Sequence, residues 1–131
     1  MTFVDSNIPM YLVGDAHPHK ADAQRLLERL ISDGQRLVTD AEVLQEILHR
    51  YTAVNRHDSI QPAFDAVLAV VDEVLTIDKA TVHKAKEITL GRRRISARDA
   101  IHLAIMDQHG IEQILSFDSG LDEFPGITRI S

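Results

Sequence analysis

The sequence predicts an α/β fold with a mostly parallel sheet covered by helices on both faces. Three observations predict it. Short β-branched runs alternate with segments of helical periodicity, the pattern of a parallel sheet. The segment after Ser96 is apolar on nearly every side of a helix, so it belongs in the interior. Acidic residues also fall just past strand ends, where open α/β sheets place their ligands.

Thr2-Phe3-Val4 reads as a first strand ending at Asp5. A short helix over residues 8–12 follows, and Val13-Gly14-Asp15 breaks it. Pro18 suits the first turn of the next helix. That helix carries Ala23, Leu26, Leu27, Leu30 and Ile31 at helical spacing, with Gly34 as its C′ residue. Arg36-Leu37-Val38 is a second strand. A helix from Asp40 presents Leu44, Ile47, Leu48 and Tyr51, and after a break at residues 57–59 another presents Phe64, Val67, Leu68 and Val71. Residues 74–77 form a third strand, and Asp78 caps a helix running to about Leu90. Gly91 and the arginines after it form a loop. Ser96 opens the buried helix, which continues through Gln108 and stops at Gly110. Residues 113–116 and 127–130 supply a fourth and a fifth strand.

The length of 131 residues fits one domain, residues 1–131, with a core large enough to need no staples. The chain has no internal repeat and no low-complexity linker. It has no cysteine, which excludes disulfides, zinc–thiolate sites, iron–sulfur clusters and thiol nucleophiles. MTFVDSN lacks a basic n-region and an apolar h-region, so no signal peptide is expected. No apolar run approaches the roughly 20 residues of a membrane span, and the expected location is the cytoplasm. The net charge is −6, yet residues 79–98 hold seven Lys/Arg against Glu87 alone, a local +6 on a remainder of −12. That segment is a candidate footprint for a polyanion.

Asp5, Glu46, Asp99 and Asp118 are the candidate chemistry. If they converge, they form a cage of hard oxygens suited to Mg²⁺ or Mn²⁺. Each also has an ordinary structural reading. Asp5 suits an N-cap. Glu46 lies four residues before Arg50, in the order of a helical ion pair, and the helical wheel puts it on the polar side. Ser96 and Asp99 match a capping box, although a carboxylate on so apolar a helix is costly unless paired or metal-bound. Asp118 suits a turn, and Asp122 and Glu123 compete with it. His102 reads as a hydrogen-bonded core histidine.

Val4-Asp5-Ser6-Asn7, Glu46 in LQEILHRY, Asp99 in SARDAIHLA and Asp118 in ILSFDSGL together resemble the PIN-domain nucleases. In particular they resemble the small VapC-type toxins of bacterial toxin–antitoxin pairs. The resemblance spans nearly the whole chain. It implies a three-layer α/β/α sandwich with Asp5, Glu46, Asp99 and Asp118 converging at the C-terminal edge of the sheet. It implies Mg²⁺- or Mn²⁺-dependent endoribonuclease activity, a small cognate antitoxin of the VapB type, and homodimerisation. Asp5 and Asp99 are then the principal ligands, Asp118 completes the site, and Glu46 ligates or orients the attacking water. Ser6, Asn7 and Ser116 are second-layer donors holding the carboxylates. Arg92, Arg93, Arg94 and Arg98 are candidates for RNA phosphate contacts.

The alternative is a non-catalytic module of the same fold that binds nucleic acid or protein. A phosphoacceptor receiver domain needs a late lysine, and none follows Lys86.

Overall fold

Alternation of side chains along each strand decides the layering. The computed structural model describes every residue except Glu123, and in it the strands are β1 (Thr2–Val4), β2 (Leu37–Asp40), β3 (Glu73–Leu75), β4 (Gln113–Leu115) and β5 (Thr128–Ile130). All four pairings are parallel, in the order β3-β2-β1-β4-β5. The helices are α1 (Asn7–Val13), α2 (Pro18–Ser32), α3 (Ala41–Ala53), α4 (Ile60–Val70), α5 (Lys79–Gly91) and α6 (Ala97–Gln108).

Phe3, Val38, Leu75 and Ile114 face a core completed by Val43 and Ile47 of α3, Val67 of α4, and Leu103 and Met106 of α6. Their neighbours Val4, Leu37 and Leu115 face the other way, onto Ile8 of α1 and Leu26, Leu27 and Leu30 of α2. One sheet buried on both faces gives the expected three layers. Each fully buried aliphatic side chain contributes about 1.5–3 kcal/mol.

The second strand runs two residues further than its apolar residues suggest. Thr39 Oγ1 donates to the Val4 carbonyl at 2.8 Å, and Asp40 Oδ1 accepts the Val43 N–H at 3.0 Å. These polar side chains satisfy themselves inside the fold, so the strand continues through them.

The buried face of α3 also differs from the predicted stripe. Val43, Glu46 and Ile47 are buried, whereas Leu48 is 45 % exposed. The helix is turned so that a carboxylate enters the interior.

Local signals set the other helix ends. Asp78 and Thr81 form a capping box at the start of α5. Ser96 caps α6 by accepting the Asp99 N–H at 3.1 Å. At the end of α2, Gly34 adopts φ +73°. There the Gly34 N–H reaches the Ile31 carbonyl and the Gln35 N–H reaches the Leu30 carbonyl, each at 3.0 Å, a Schellman closure.

A Cβ on Gly34 would meet no atom within 4 Å, so Gly34→Ala isolates the backbone cost. The expected loss is about 1–2 kcal/mol with an unchanged m-value in urea unfolding.

Candidate metal centre

The strand order reverses at β1: β2 and β3 lie on one side of it, β4 and β5 on the other. The carboxyl ends of β1 and β4 therefore border the crevice where such sheets bind ligands. Asp5 follows β1 directly, and Ser116, Phe117 and Asp118 follow β4. From the helices, α3 contributes Glu46 and α6 contributes Asp99 at its first turn. Asp5, Glu46, Asp99 and Asp118 all line one cleft of about 570 Å³, together with Ser6 and Asn7.

A chain of hydrogen bonds fixes the floor. Asp5 Oδ1 accepts the Ser6 N–H at 2.7 Å, and Asp5 Oδ2 accepts Ser116 Oγ–H at 2.7 Å. Ser116 Oγ in turn accepts from Asn7 Nδ2 and from the Asp118 N–H, each at 3.0 Å. One hydroxyl thus ties the residues after β1 to those after β4, with its donor and both lone pairs engaged. Ser6 Oγ donates to Glu46 Oε2 at 2.5 Å. Ser6, Asn7 and Ser116 all hold carboxylates or the turn that carries one.

Beneath this layer lies His102, fully buried on α6. Its Nδ1 is 2.8 Å from Asp40 Oδ2, and its Nε2 is 2.7 Å from Glu46 Oε1 and 3.9 Å from Asp5 Oδ1. Both ring nitrogens face carboxylates, so the doubly protonated imidazolium satisfies both. Burial alone pushes its pKa down. The hydrogen bonds to Asp40 and Glu46 and the charges of Asp40 and Asp5 outweigh burial and hold it well above the ordinary imidazole value.

The acids respond to the same surroundings. Asp5 is pushed up, first by burial and then by Glu46, although His102 and Ser116 pull it down. Asp99 is also pushed up by burial and by the charges of Asp5 and Asp118. Glu46 goes the other way: burial raises it, but His102 and Ser6 overcome that and keep it ionised. Like charges crowd a partly dry site, the condition that a divalent cation relieves. One polar atom from each of Asp5, Glu46 and His102 lies within 4.8 Å of the others. A ring nitrogen that donates to a carboxylate has no free lone pair, so the oxygens are the fitting donors. An all-oxygen set suits a hard cation.

Several sequence expectations change here. Glu46 is not a surface residue paired with Arg50; it is 8 % exposed and pairs with His102 and Ser6. The wheel fails because it equates buried with apolar. Asp118 lines the cleft, whereas Asp122 is held by Arg129 in a two-pronged pair at 2.6 and 3.1 Å. The third competitor, Glu123, lies outside the described residues. Of the four arginines, Arg98 alone lines the cleft. Arg92 sits over the Phe124 ring at 5.2 Å, and Arg93 and Arg94 are exposed elsewhere. Arg50 lines the cleft and was not foreseen. Asp40 starts α3, as its position predicts, and also binds His102, which its position does not show. Its partner His102 carried the signal: a histidine on an apolar helix needs a buried polar partner.

His102→Ala would leave Asp40 Oδ2 and Glu46 Oε1 without the ring that pairs them, two buried acids with no countercharge between them, with an expected loss of about 3–5 kcal/mol in urea unfolding. A loss under about 1 kcal/mol would contradict a charged bridge. The pH dependence follows from the sign of the shift. A folded pKa above the unfolded value of about 6.5 gives stabilisation that is complete below that pH. It drains away as pH rises through the folded value. Metal-free protein should lose stability above neutral pH, and His102→Gln should lack that slope.

Residues 2–127 match the model of the PIN domain family. Over all 131 residues the chain is 60 % identical to VapC ribonuclease Mb1869c of Mycobacterium bovis and to ribonuclease VapC13 of Mycobacterium tuberculosis, covering the whole of each. Among solved structures it resembles the sarcin–ricin loop cleaving toxin VapC20 of M. tuberculosis (TM-score 0.69, 23 % identity, 91 % of each chain). It also resembles a chain of a toxin–antitoxin complex from Klebsiella pneumoniae (TM-score 0.68, 14 % identity, 98 % of this chain and 96 % of that one). At those identities the structures speak for the fold, which is the one described above. With a family match over residues 2–127 and 60 % identity across the full length of the two mycobacterial ribonucleases, the chain belongs to the PIN-domain family, in its VapC branch.

Proposed function

We propose that this chain is a divalent-metal-dependent endoribonuclease, the toxin half of a toxin–antitoxin pair, which hydrolyses RNA phosphodiester bonds. The observation that carries this reading is the convergence of Asp5, Glu46, Asp99 and Asp118 on one cleft at the switch point of the sheet. The names of the mycobacterial relatives, both ribonucleases, support the reaction.

Asp5, Asp99 and Asp118, with Glu46, would hold Mg²⁺ or Mn²⁺. The cation supplies Lewis acidity, which makes water a better nucleophile and neutralises charge on the phosphoryl oxygens. The protein's own groups do the positioning. Ser116 and the Ser6 N–H fix both oxygens of Asp5. The Glu46 carboxylate, kept ionised by His102 and Ser6, is the group best placed to orient or deprotonate water. Arg98 and Arg50, on the cleft wall, suit phosphate oxygens.

A cognate VapB-type antitoxin is the proposed protein partner. The fold shared with the Klebsiella toxin–antitoxin chain supports it. Homodimerisation and a cytoplasmic location belong to the same proposal. No helix among the described residues is long and apolar enough to cross a membrane.

Adding Mn²⁺ at 100 times its Kd should stabilise the parent protein by about 2.7 kcal/mol. In Asp99→Asn the metal-free protein should be more stable than the parent, because a raised, repelled carboxylate is gone, and the gain from Mn²⁺ should shrink. An undiminished metal-dependent thermal shift would remove Asp99 from the ligand set. Asp5→Asn should fold and yet leave RNA uncut in a gel assay; cutting by that purified variant would overturn the mechanism.

A further inference from the structure

The cleft is larger than its carboxylates need. A six-coordinate cation with its waters fills roughly 180 Å³, at about 30 Å³ per water. About 570 Å³ is open. Apart from Arg50, Arg98 and the rim residue Asp15, much of the remainder is walled by Tyr11, His17, Met10, Tyr51 and Val54, so the cleft joins an acidic floor to an apolar and aromatic stretch of wall.

Two of those wall residues belong to a cluster of four rings. His19 stacks on Phe117 nearly face to face, with centroids 4.2 Å apart and planes 7° from parallel. Tyr11 meets His19 and Phe117 edge-on at 5.0 and 5.6 Å, and lies against His17 at 5.0 Å. His17 is exposed, and its Nδ1 accepts the His19 N–H at 3.1 Å, which caps α2. Phe117 directly precedes Asp118, and its N–H donates to Asn7 Oδ1 at 3.2 Å. The rings are therefore tied to the backbone that carries the acids. They are fixed from behind by packing and by the cap, while Tyr11 and His17 remain on the cleft.

We infer that Tyr11 and His17, backed by His19 and Phe117, form a stacking subsite for a nucleobase of single-stranded RNA beside the phosphate bound at the acids. This rests on the ribonuclease reading and adds the part of the substrate that the site grips. Unpaired bases splayed from a strand are recognised by stacking on aromatic and imidazole rings. Stacking tolerates every base, because each has a π-face. An acidic protein gains most from such a contact, since a base carries no charge for the carboxylates to repel. Arg50 and Arg98 on the same cleft supply the complementary hold on the backbone.

The probe is a random-sequence single-stranded RNA of about 14 nucleotides, cut in Mn²⁺, with product ends sequenced. The preferred sequence is then remade with an abasic ribose on one side or the other of the cut. The parent protein should lose about 10- to 100-fold in kcat/KM for one of the two abasic substrates, chiefly through KM. Tyr11→Leu should lose a similar factor on intact RNA and nothing further on that abasic substrate. Tyr11→Phe should behave as the parent, because stacking does not need the hydroxyl. The Mn²⁺-dependent thermal shift should be the same in all three proteins, which reports an intact acid cluster. Indifference of the parent to both abasic substrates overturns the subsite, with no variant needing to fold. So do independent, multiplying losses in Tyr11→Leu. If the parent cuts nothing in the pool, the ribonuclease reading fails and the subsite falls with it.

Discussion

A buried imidazole held between two carboxylates joins the two helices of the site to the strand beside them. Asp40 ends β2, Glu46 projects from the middle of α3, and His102 lies on α6. β2 runs straight into α3, but α6 comes from much further along the chain, and apolar packing alone leaves a helix free to slide or turn on a sheet. The bridge removes that freedom. Two hydrogen bonds of 2.7–2.8 Å at the two ends of one rigid ring fix the rotation of α3 and the depth of α6 together. Asp40 also caps α3 through its other oxygen, so one side chain sets both where the helix starts and which face it buries. The rotation that puts Glu46 inside also leaves Leu48 exposed. Hydrophobic burial is therefore partly given up for the position of a carboxylate. Buried ion pairs seldom add net stability over an apolar packing of equal volume, but breaking one is costly, which suits them to fixing geometry.

The same bridge divides labour among the acids. Glu46 touches the imidazole and stays ionised, whereas Asp5 and Asp99 are pushed toward protonation by burial and by their neighbours. Glu42, one turn before Glu46, is raised as well, by burial and by the Glu46 charge. A site with every acid paired would need no cation. A site with none paired would resist folding. Here Glu46 is held ionised by the buried imidazolium, while Asp5 and Asp99 remain crowded by burial and by like charge. The conflict between stability and activity is thus confined to the few residues at the strand ends, over an apolar core that carries none of it.

Most of the fold was legible because its signals are local. β-Branched runs, helical spacing and the glycine after α2 placed the elements, and the alternation of strands with helices gave a parallel sheet. The polar ends of strands were not legible. Thr39 and Asp40 read as the end of a strand, since their satisfaction by Val4 and Val43 depends on contacts that no window of sequence contains. At the site, the positions of Asp5, Asp99 and Asp118 followed from strand and helix ends. The position of Glu46 followed only from resemblance to a family. Its burial is explained by His102, 56 residues away, which a helical wheel cannot register. The ring cluster escaped notice for the same reason. Tyr11, His17, His19 and Phe117 look unrelated until β4 is placed beside β1.

The basic stretch and the acidic cleft meet at one residue, and the reason is visible in how the charges are used. Two members of the basic stretch of residues 79–98 are engaged elsewhere, at α5 and the loop after it. Lys84 pairs with Asp107 at 2.5 Å, and Arg92 lies over Phe124. Arg98 is the member of that stretch that reaches the cleft, where Arg50 of α3 joins it. At the floor, Asp40 and the His102 imidazolium cancel each other. With all four ionised, the carboxylates of Asp5, Glu46, Asp99 and Asp118 then stand against two arginines, a surplus of two negative charges that adds to burial in pushing Asp5 and Asp99 toward protonation. Asp15 adds another at the exposed rim, where water and salt screen it. A single divalent cation matches the surplus at the floor. On the proposed function, the cleft without a cation would repel a phosphodiester, and with one the floor would be near neutral and the arginines free to act on the backbone. On that reading, these electrostatics make metal binding precede RNA binding as well as chemistry, and a net charge of −6 is then no obstacle to cutting RNA.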